Sequence, residues 1–160
     1  MKTQGDRRRI LDLLAKNEEA ISELYATYAQ RLPKQAEFWI QFSKEELAHA
    51  TWIRQFEILM QREAMGFAPR RFAATTLETS RAYVQTQIQI ARDEPVTRLS
   101  ALSLALSLEN SLIEQKFFEV CTGDSPRFTE LMEKLAAATQ DHRQRMQAAW
   151  EEARGEEKAA

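Results

Sequence analysis

Apolar residues recur at steps of three and four along four long stretches of the chain, the spacing that places side chains on one face of an α-helix. The first stretch covers residues 8–31, with Ile10, Leu14, Ile21, Tyr25, Tyr28 and then Leu32 on its stripe; Pro33 ends it. The second covers 34–64, with Phe38, Phe42, Ile53, Phe56 and Met60, and Gly66 suits its C-cap. The third covers 99–120, with Leu102, Leu106, Ile113, Phe117 and Val120, and Gly123 stops it. The fourth opens at Ser125-Pro126, a capping residue followed by a proline in the first helical position. Its stripe is Phe128, Leu131, Leu135, Ala138, Met146 and Trp150, and the tail after Ala153 is expected to fray.

Between the second and third stretches lies a long connection, 67–98, in which the pattern predicts a shorter helix over 76–92. Thr75 and Glu78 have capping-box spacing before it, and Glu94-Pro95 closes it. The expectation is therefore one all-α domain: a bundle of four helices with two tight connections and one long crossover carrying an extra helix, as in ferritin-like folds.

Composition narrows the function. With 160 residues, 44% of them hydrophobic, the chain can bury a proper core, and only 4 Gly and 4 Pro leave little punctuation for many short strands. A net charge of −2 argues against a nucleic-acid footprint; Arg7, Arg8 and Arg9 read as a solvated first helical turn. No apolar run reaches the length of a membrane span, and no leader pattern precedes the first helix. Cys121 is the single cysteine, which excludes a disulfide framework or a four-cysteine metal site built by this chain alone. A reducing, cytoplasmic setting is expected.

The gaps in the apolar stripes carry the chemistry. The run 14, 18, 21, 25, 28 puts Glu18 on the inner face of the first helix. The run 42, 46, 49, 53, 56 does the same for Glu46 and His49, the run 102, 106, 109, 113 for Glu109, and the run 135, 138, 142, 146 for His142. An ionised carboxylate in an apolar core costs several kcal/mol unless compensated. These stripes hold three such acids and no Lys or Arg. A bound cation supplies the missing charge, and carboxylate with imidazole is a ligand set that iron and manganese accept. The halves of the chain repeat the pattern: Glu18 precedes His49 by 31 positions and Glu109 precedes His142 by 33, and these are the chain's 2 histidines.

The segments NEEAISELY, KEELAHATWIRQFE, LENSLIEQKFF and LAAATQDHRQRM resemble the four bundle helices of rubrerythrin-like proteins of the ferritin superfamily. The ligand pattern of such bundles is a Glu on each of two helices and Glu-x-x-His on each of the other two. The resemblance implies a centre of two iron ions, with Glu18 and His49 on one, Glu109 and His142 on the other and Glu46 between them. It also implies peroxide or dioxygen reduction, or oxidation of ferrous iron. Manganese, zinc or a single metal remain alternatives. Tyr25 is either a hydrogen-bond donor to a ligating carboxylate or ordinary core packing.

Two features depart from the family. Thr139 stands where the second bridging Glu is expected, which leaves open an asymmetric pair, a single metal at Glu18, Glu46 and His49, or a water or anion at the vacant edge. The four-cysteine iron domain of the peroxidase type is missing, so electrons are expected from an external donor protein or from the substrate metal. Glu23, Glu45, Glu114 and Asp141 fall off the inner stripes and are expected on solvated faces, and Trp39, Trp52 and Trp150 are expected in the core, the rim or a dimer contact. A homodimer follows from resemblance. A non-catalytic metal store or sensor, and a bundle that has lost its metal chemistry, are the competing readings.

Overall fold

The structure, a computed structural model, describes residues 4–62, 66–67, 74–111, 121–122 and 125–160. Its helices are α1 (Gln4–Arg31), α2 (Ala36–Arg62), α3 (Ala74–Asp93), α4 (Arg98–Glu109) and α5 (Pro126–Ala159). A 3-10 turn, Pro33–Gln35, joins α1 to α2, and the two-residue strands Gly66–Phe67 and Cys121–Thr122 pair antiparallel. The described residues are otherwise all-helical, and no helix among them is long and apolar enough to cross a membrane.

Local chemistry sets the ends. Proline at 33 cannot donate the amide that would continue α1, so the chain turns within three residues. Thr97 and Ser100 form a reciprocal capping box at the start of α4, each side chain 3.1 Å from the other's backbone amide. Ser125 accepts from the Phe128 amide at 3.2 Å, with Pro126 in the first helical position of α5. Three boundaries differ from the sequence pattern. Thr75 lies inside α3, where its carbonyl accepts from Thr79, and Glu78 turns to Arg9 at 2.6 Å, so the expected box does not form. Gly66 pairs with Thr122 rather than capping α2. The tail beyond Ala153 stays helical through Ala159, held by Arg98, which donates to Glu152 and Glu156 at 2.8 Å each. Of the third helix as predicted, residues 112–120 lie outside the described residues, with Ile113, Glu114, Phe117 and Val120; so does the Gly123 stop.

The core comes in two parts. One gathers Ile10, Leu11, Leu13, Leu14 and Ala15 of α1, Ala50, Ile53, Phe56 and Leu59 of α2, Leu77 of α3 and Phe128, Leu131 and Leu135 of α5. The other gathers α1 positions from Ala20 onward, Trp39 and Phe42 of α2, Val84, Ile88 and Ala91 of α3, Ala101, Leu102, Ala105 and Leu108 of α4, and Met146 and Ala153 of α5. Membership fixes direction: α1, α3 and α5 run from the first part to the second, while α2 runs back. α4 starts in the second part and ends at Glu109, on the boundary. The same boundary falls between Ala15 and Ala20, between Phe42 and Ala50, and between Leu135 and Met146. Glu18, Glu46, His49, Glu109, Thr139 and His142 occupy it, all buried.

Surface pairs lash the helices around this layer. Arg8 holds Glu57 at 2.7 Å, joining α1 to α2, and Arg92 holds Glu23 at 2.8 Å, joining α3 to α1. Of the basic run at the start of α1, Arg8 and Arg9 are exposed and reach across to acids of α2 and α3, whereas Arg7 is half-buried. Asn17, buried beside Glu18, donates to the carbonyls of Leu13 and Leu77 at 3.0 and 3.1 Å and ties α3 to α1 at the height of the polar layer.

Thr97→Ala removes one side of the α4 box and is expected to lower unfolding free energy by about 1 kcal/mol, read by urea denaturation with an unchanged slope, while Thr97→Ser keeps most of it.

Candidate metal centre

Steps of three and four along each helix bring the polar residues to one level. Glu46 is fully buried, and its two carboxylate oxygens face two different histidines: Oε2 lies 3.1 Å from His49 Nδ1 and Oε1 lies 3.1 Å from His142 Nδ1. The imidazole rings sit with centroids 4.7 Å apart. One ligand atom from each of Glu46, His49 and His142 falls within 4.8 Å of the others, and this buried group can hold a metal ion. Ligands about 2.1 Å from an ion and at right angles to one another stand about 3 Å apart, which matches both Glu46–histidine separations.

The other predicted residues flank this group. Glu109 Oε1 is 3.7 Å from His142 Nδ1 and accepts a hydrogen bond from Tyr25 Oη at 2.8 Å. Tyr25, two turns beyond Glu18 on α1, thus serves the carboxylate of α4. Glu18 is buried on α1 and interacts electrostatically with Glu46, His49 and Glu109. Thr139 is buried one turn before His142.

Hydrogen bonding leaves this layer incomplete. Buried atoms without a hydrogen-bond partner among the described residues include Glu18 Oε2, Glu46 Oε1, Glu109 Oε2 and His142 Nδ1. The 3.1 Å approach of Glu46 Oε1 to His142 Nδ1 has ion-pair distance without hydrogen-bond alignment. Each orphan costs on the order of 1–3 kcal/mol, more where charged. No lysine or arginine is buried among the described residues to offset it. Four orphaned donor-set atoms on four helices, at one height, suit a cation.

Without metal, protons compensate. Burial, then the charge of Glu46, holds the Glu18 carboxyl well above the ordinary carboxylate range. Burial and the charge of Glu109 push Glu46 up to about 7. Burial would lower His142, but the facing carboxylates of Glu109 and Glu46 outweigh it and push the imidazole up to about 10. Glu109, opposed by its own burial, is lowered by His142 and by the Tyr25 hydrogen bond. His49 is lowered, chiefly by burial.

Glu45 corrects the sequence pattern. Expected on a solvated face, it is only 26% exposed and reaches across to α5, with Oε2 2.5 Å from His142 Nε2 and in contact with Arg145 Nη2. Arg145 in turn donates to Asp141 at 2.7 Å and lies over the Phe42 ring. A carboxylate on one ring nitrogen fixes which nitrogen faces inward; here Nε2 is held at the rim and Nδ1 is presented to Glu46 and Glu109. The signal for Glu45 is the second nitrogen of an inward histidine, which needs a partner on the neighbouring helix. Glu23 and Asp141 do lie on exposed faces, and Glu114 falls outside the described residues. Trp39 is core, while Trp52 stacks beside His49 at 5.4 Å and carries Lys134 over its face.

His142 sets a pH dependence. Its folded value lies above its ordinary 6.5, so the stability it contributes is complete below that value and is lost as pH rises through about 10. Metal-free protein is therefore expected to melt at progressively lower temperature between pH 7 and pH 10, followed by circular dichroism. Glu18→Gln, which replaces a buried acid by a neutral group of the same shape, is expected to raise the metal-free melting temperature in the same assay.

No protein-family model, no curated protein and no solved structure matches this chain.

Proposed function

We propose that this protein is a metal-binding helical bundle of ferritin-like arrangement whose centre takes two iron ions and serves an oxidoreductase, of the kind that reduces peroxide or dioxygen or oxidises ferrous iron. One observation carries the reading: the two oxygens of the single carboxylate Glu46 each face a different histidine at 3.1 Å. A carboxylate so placed can serve one ion through each oxygen. Glu109 flanks the His142 side, and Glu18, which interacts electrostatically with His49 and Glu46, flanks the other. The direction of the helices, with α3 crossing from the end of α2 to the start of α4, supports the ferritin-like arrangement.

Bound iron would supply reversible one-electron chemistry at such a site. The chain's own part is to hold three acids and two imidazoles in place between two apolar clusters and to orient His142 through Glu45. Thr139 adds no anionic ligand, so the α5 side is poorer in charge than the α2 side. The reading includes electrons from an external donor protein or from the substrate metal, and a cytoplasmic setting. It also includes a homodimer, for which the exposed Ile40, Leu47 and Ile58 on one outer face of α2 offer an apolar stripe.

A second reading has an observation of its own. Glu46, His49 and His142 share a single reach of 4.8 Å, a two-histidine, one-carboxylate set that fits one iron or zinc ion. Metal analysis separates the two. Protein reconstituted anaerobically with ferrous iron is expected to hold close to two equivalents, falling below about a tenth in Glu46→Ala, because removing a central ligand leaves the remaining acids without a shared ion. One equivalent in the wild-type protein favours the mononuclear reading, and equal content in both proteins refutes a centre at Glu46. Ferrous protein is further expected to consume peroxide faster than Glu46→Ala; equal rates would refute redox catalysis there.

A further inference from the structure

The layer of acids and histidines is closed on most sides by apolar packing, yet one flank meets a groove. Between α4 and α5 runs a groove of about 770 Å³ whose walls include Leu106 of α4, Asn110 just past its end, and Thr139, Gln140, Arg143 and Gln147 of α5. Leu106 and the C-cap residue Asn110 bracket Glu109, the last residue of α4. Thr139 stands one helical turn from His142, a spacing that keeps neighbouring side chains on one face. The groove therefore reaches the level of the two ligand residues whose buried Oε2 and Nδ1 atoms have no hydrogen-bond partner among the described residues. Two other cavities, of about 460 and 470 Å³, lie at Pro33–Trp39 and at Arg62, Arg127 and Lys134, and neither is lined by a candidate ligand or its near neighbours.

We propose that this α4–α5 groove is the route by which a small, hydrogen-bonding, non-cationic reactant reaches the metal centre, with Thr139 as the residue that keeps its floor open. The inference rests on the metal-centre reading and adds to it the reactant's path and class. The lining chemistry selects the class. Beside the apolar Leu106, Ala136 and Ala148, three glutamines and an asparagine offer both donors and acceptors, which a route for an apolar gas would not need. Arg143 is fixed in the wall by its Nε–H donation to Asn110 Oδ1 at 3.1 Å, so its positive charge faces whatever passes, with Glu151 as the lining carboxylate. A metal cation gains little on such a path; a neutral hydroperoxide or a small anion finds donors along it. Threonine at 139 is short and uncharged. A glutamate there would both occupy the floor and repel an anion.

Thr139→Cys in a Cys121→Ser background tests the route on metal-free protein. Its thiol is expected to react with neutral and anionic methanethiosulfonates faster than with a trimethylammonium analogue of the same size. Gln140→Trp, an exposed position in the groove wall, is expected to slow that reaction about tenfold or more, equivalent to roughly 1.4 kcal/mol on the entry barrier, whereas Gln55→Trp in the distant cavity leaves it unchanged. In iron-loaded protein, azide binding followed by its charge-transfer absorption is expected to slow likewise in Gln140→Trp at unchanged iron content. Preference for the cationic reagent, or equal effects of Gln140→Trp and Gln55→Trp, overturns the route while leaving the metal centre intact. Protein that holds no iron overturns the reading on which the route rests.

Discussion

Three carboxylates buried at one height among four helices, with two histidines but no buried lysine or arginine among the described residues to match them, are the constraint around which this structure is arranged. They divide the core into two apolar parts, and α1, α2, α4 and α5 each carry a polar residue at the boundary. Apolar replacements would serve stability better, since a buried charge retains its desolvation cost even when paired. A layer of this kind lowers stability, a cost that the proposed metal centre would account for.

In the proposed centre, protons and metal would compete for the same atoms. In the metal-free state the raised values of Glu18, Glu46 and His142 describe a layer that keeps hydrogen ions because it lacks other positive charge. A divalent cation bound at the proposed centre would displace those protons, which would link its affinity to pH. Glu45 stands outside this exchange. Held low by hydrogen bonds from Gln41 and Arg145 against its burial, it stays ionised at the rim and anchors the outer nitrogen of His142. The same α5 helix thus presents a histidine inward, a salt-bridged network outward, and a short neutral threonine beside them where a stronger ligand would have room.

Much of this is legible in the chain. Interrupted apolar stripes place Glu18, Glu46, His49, Glu109 and His142 indoors, because helical periodicity alone decides which face a residue occupies. Helix ends with explicit chemistry, Pro33 and Ser125-Pro126, are legible for the same reason. Contacts that depend on how helices sit beside one another are not. Glu45 lies about a hundred degrees around α2 from Glu46 by wheel geometry, and only the neighbouring α5 turns that flank into a partner for His142. Periodicity places Tyr25 near Glu18, yet its hydroxyl finds Glu109, 84 positions away. The C-terminal tail carries no apolar stripe, and its helix persists through Arg98, a residue of another helix. A capping box at Thr75 does not form because Glu78 has a better partner in Arg9, while the box that does form, Thr97 with Ser100, uses a serine in place of the usual acid.

Whether a bound cation neutralises the acid layer is tested most directly by a crystal of iron-reconstituted protein measured across the iron absorption edge. Anomalous density is expected about 2.0–2.2 Å from Glu46 and from both His49 and His142, the range of ordinary metal–nitrogen and metal–oxygen bonds. Ordered side chains in the same positions with no anomalous density among them, in protein soaked with excess ferrous iron, would contradict it.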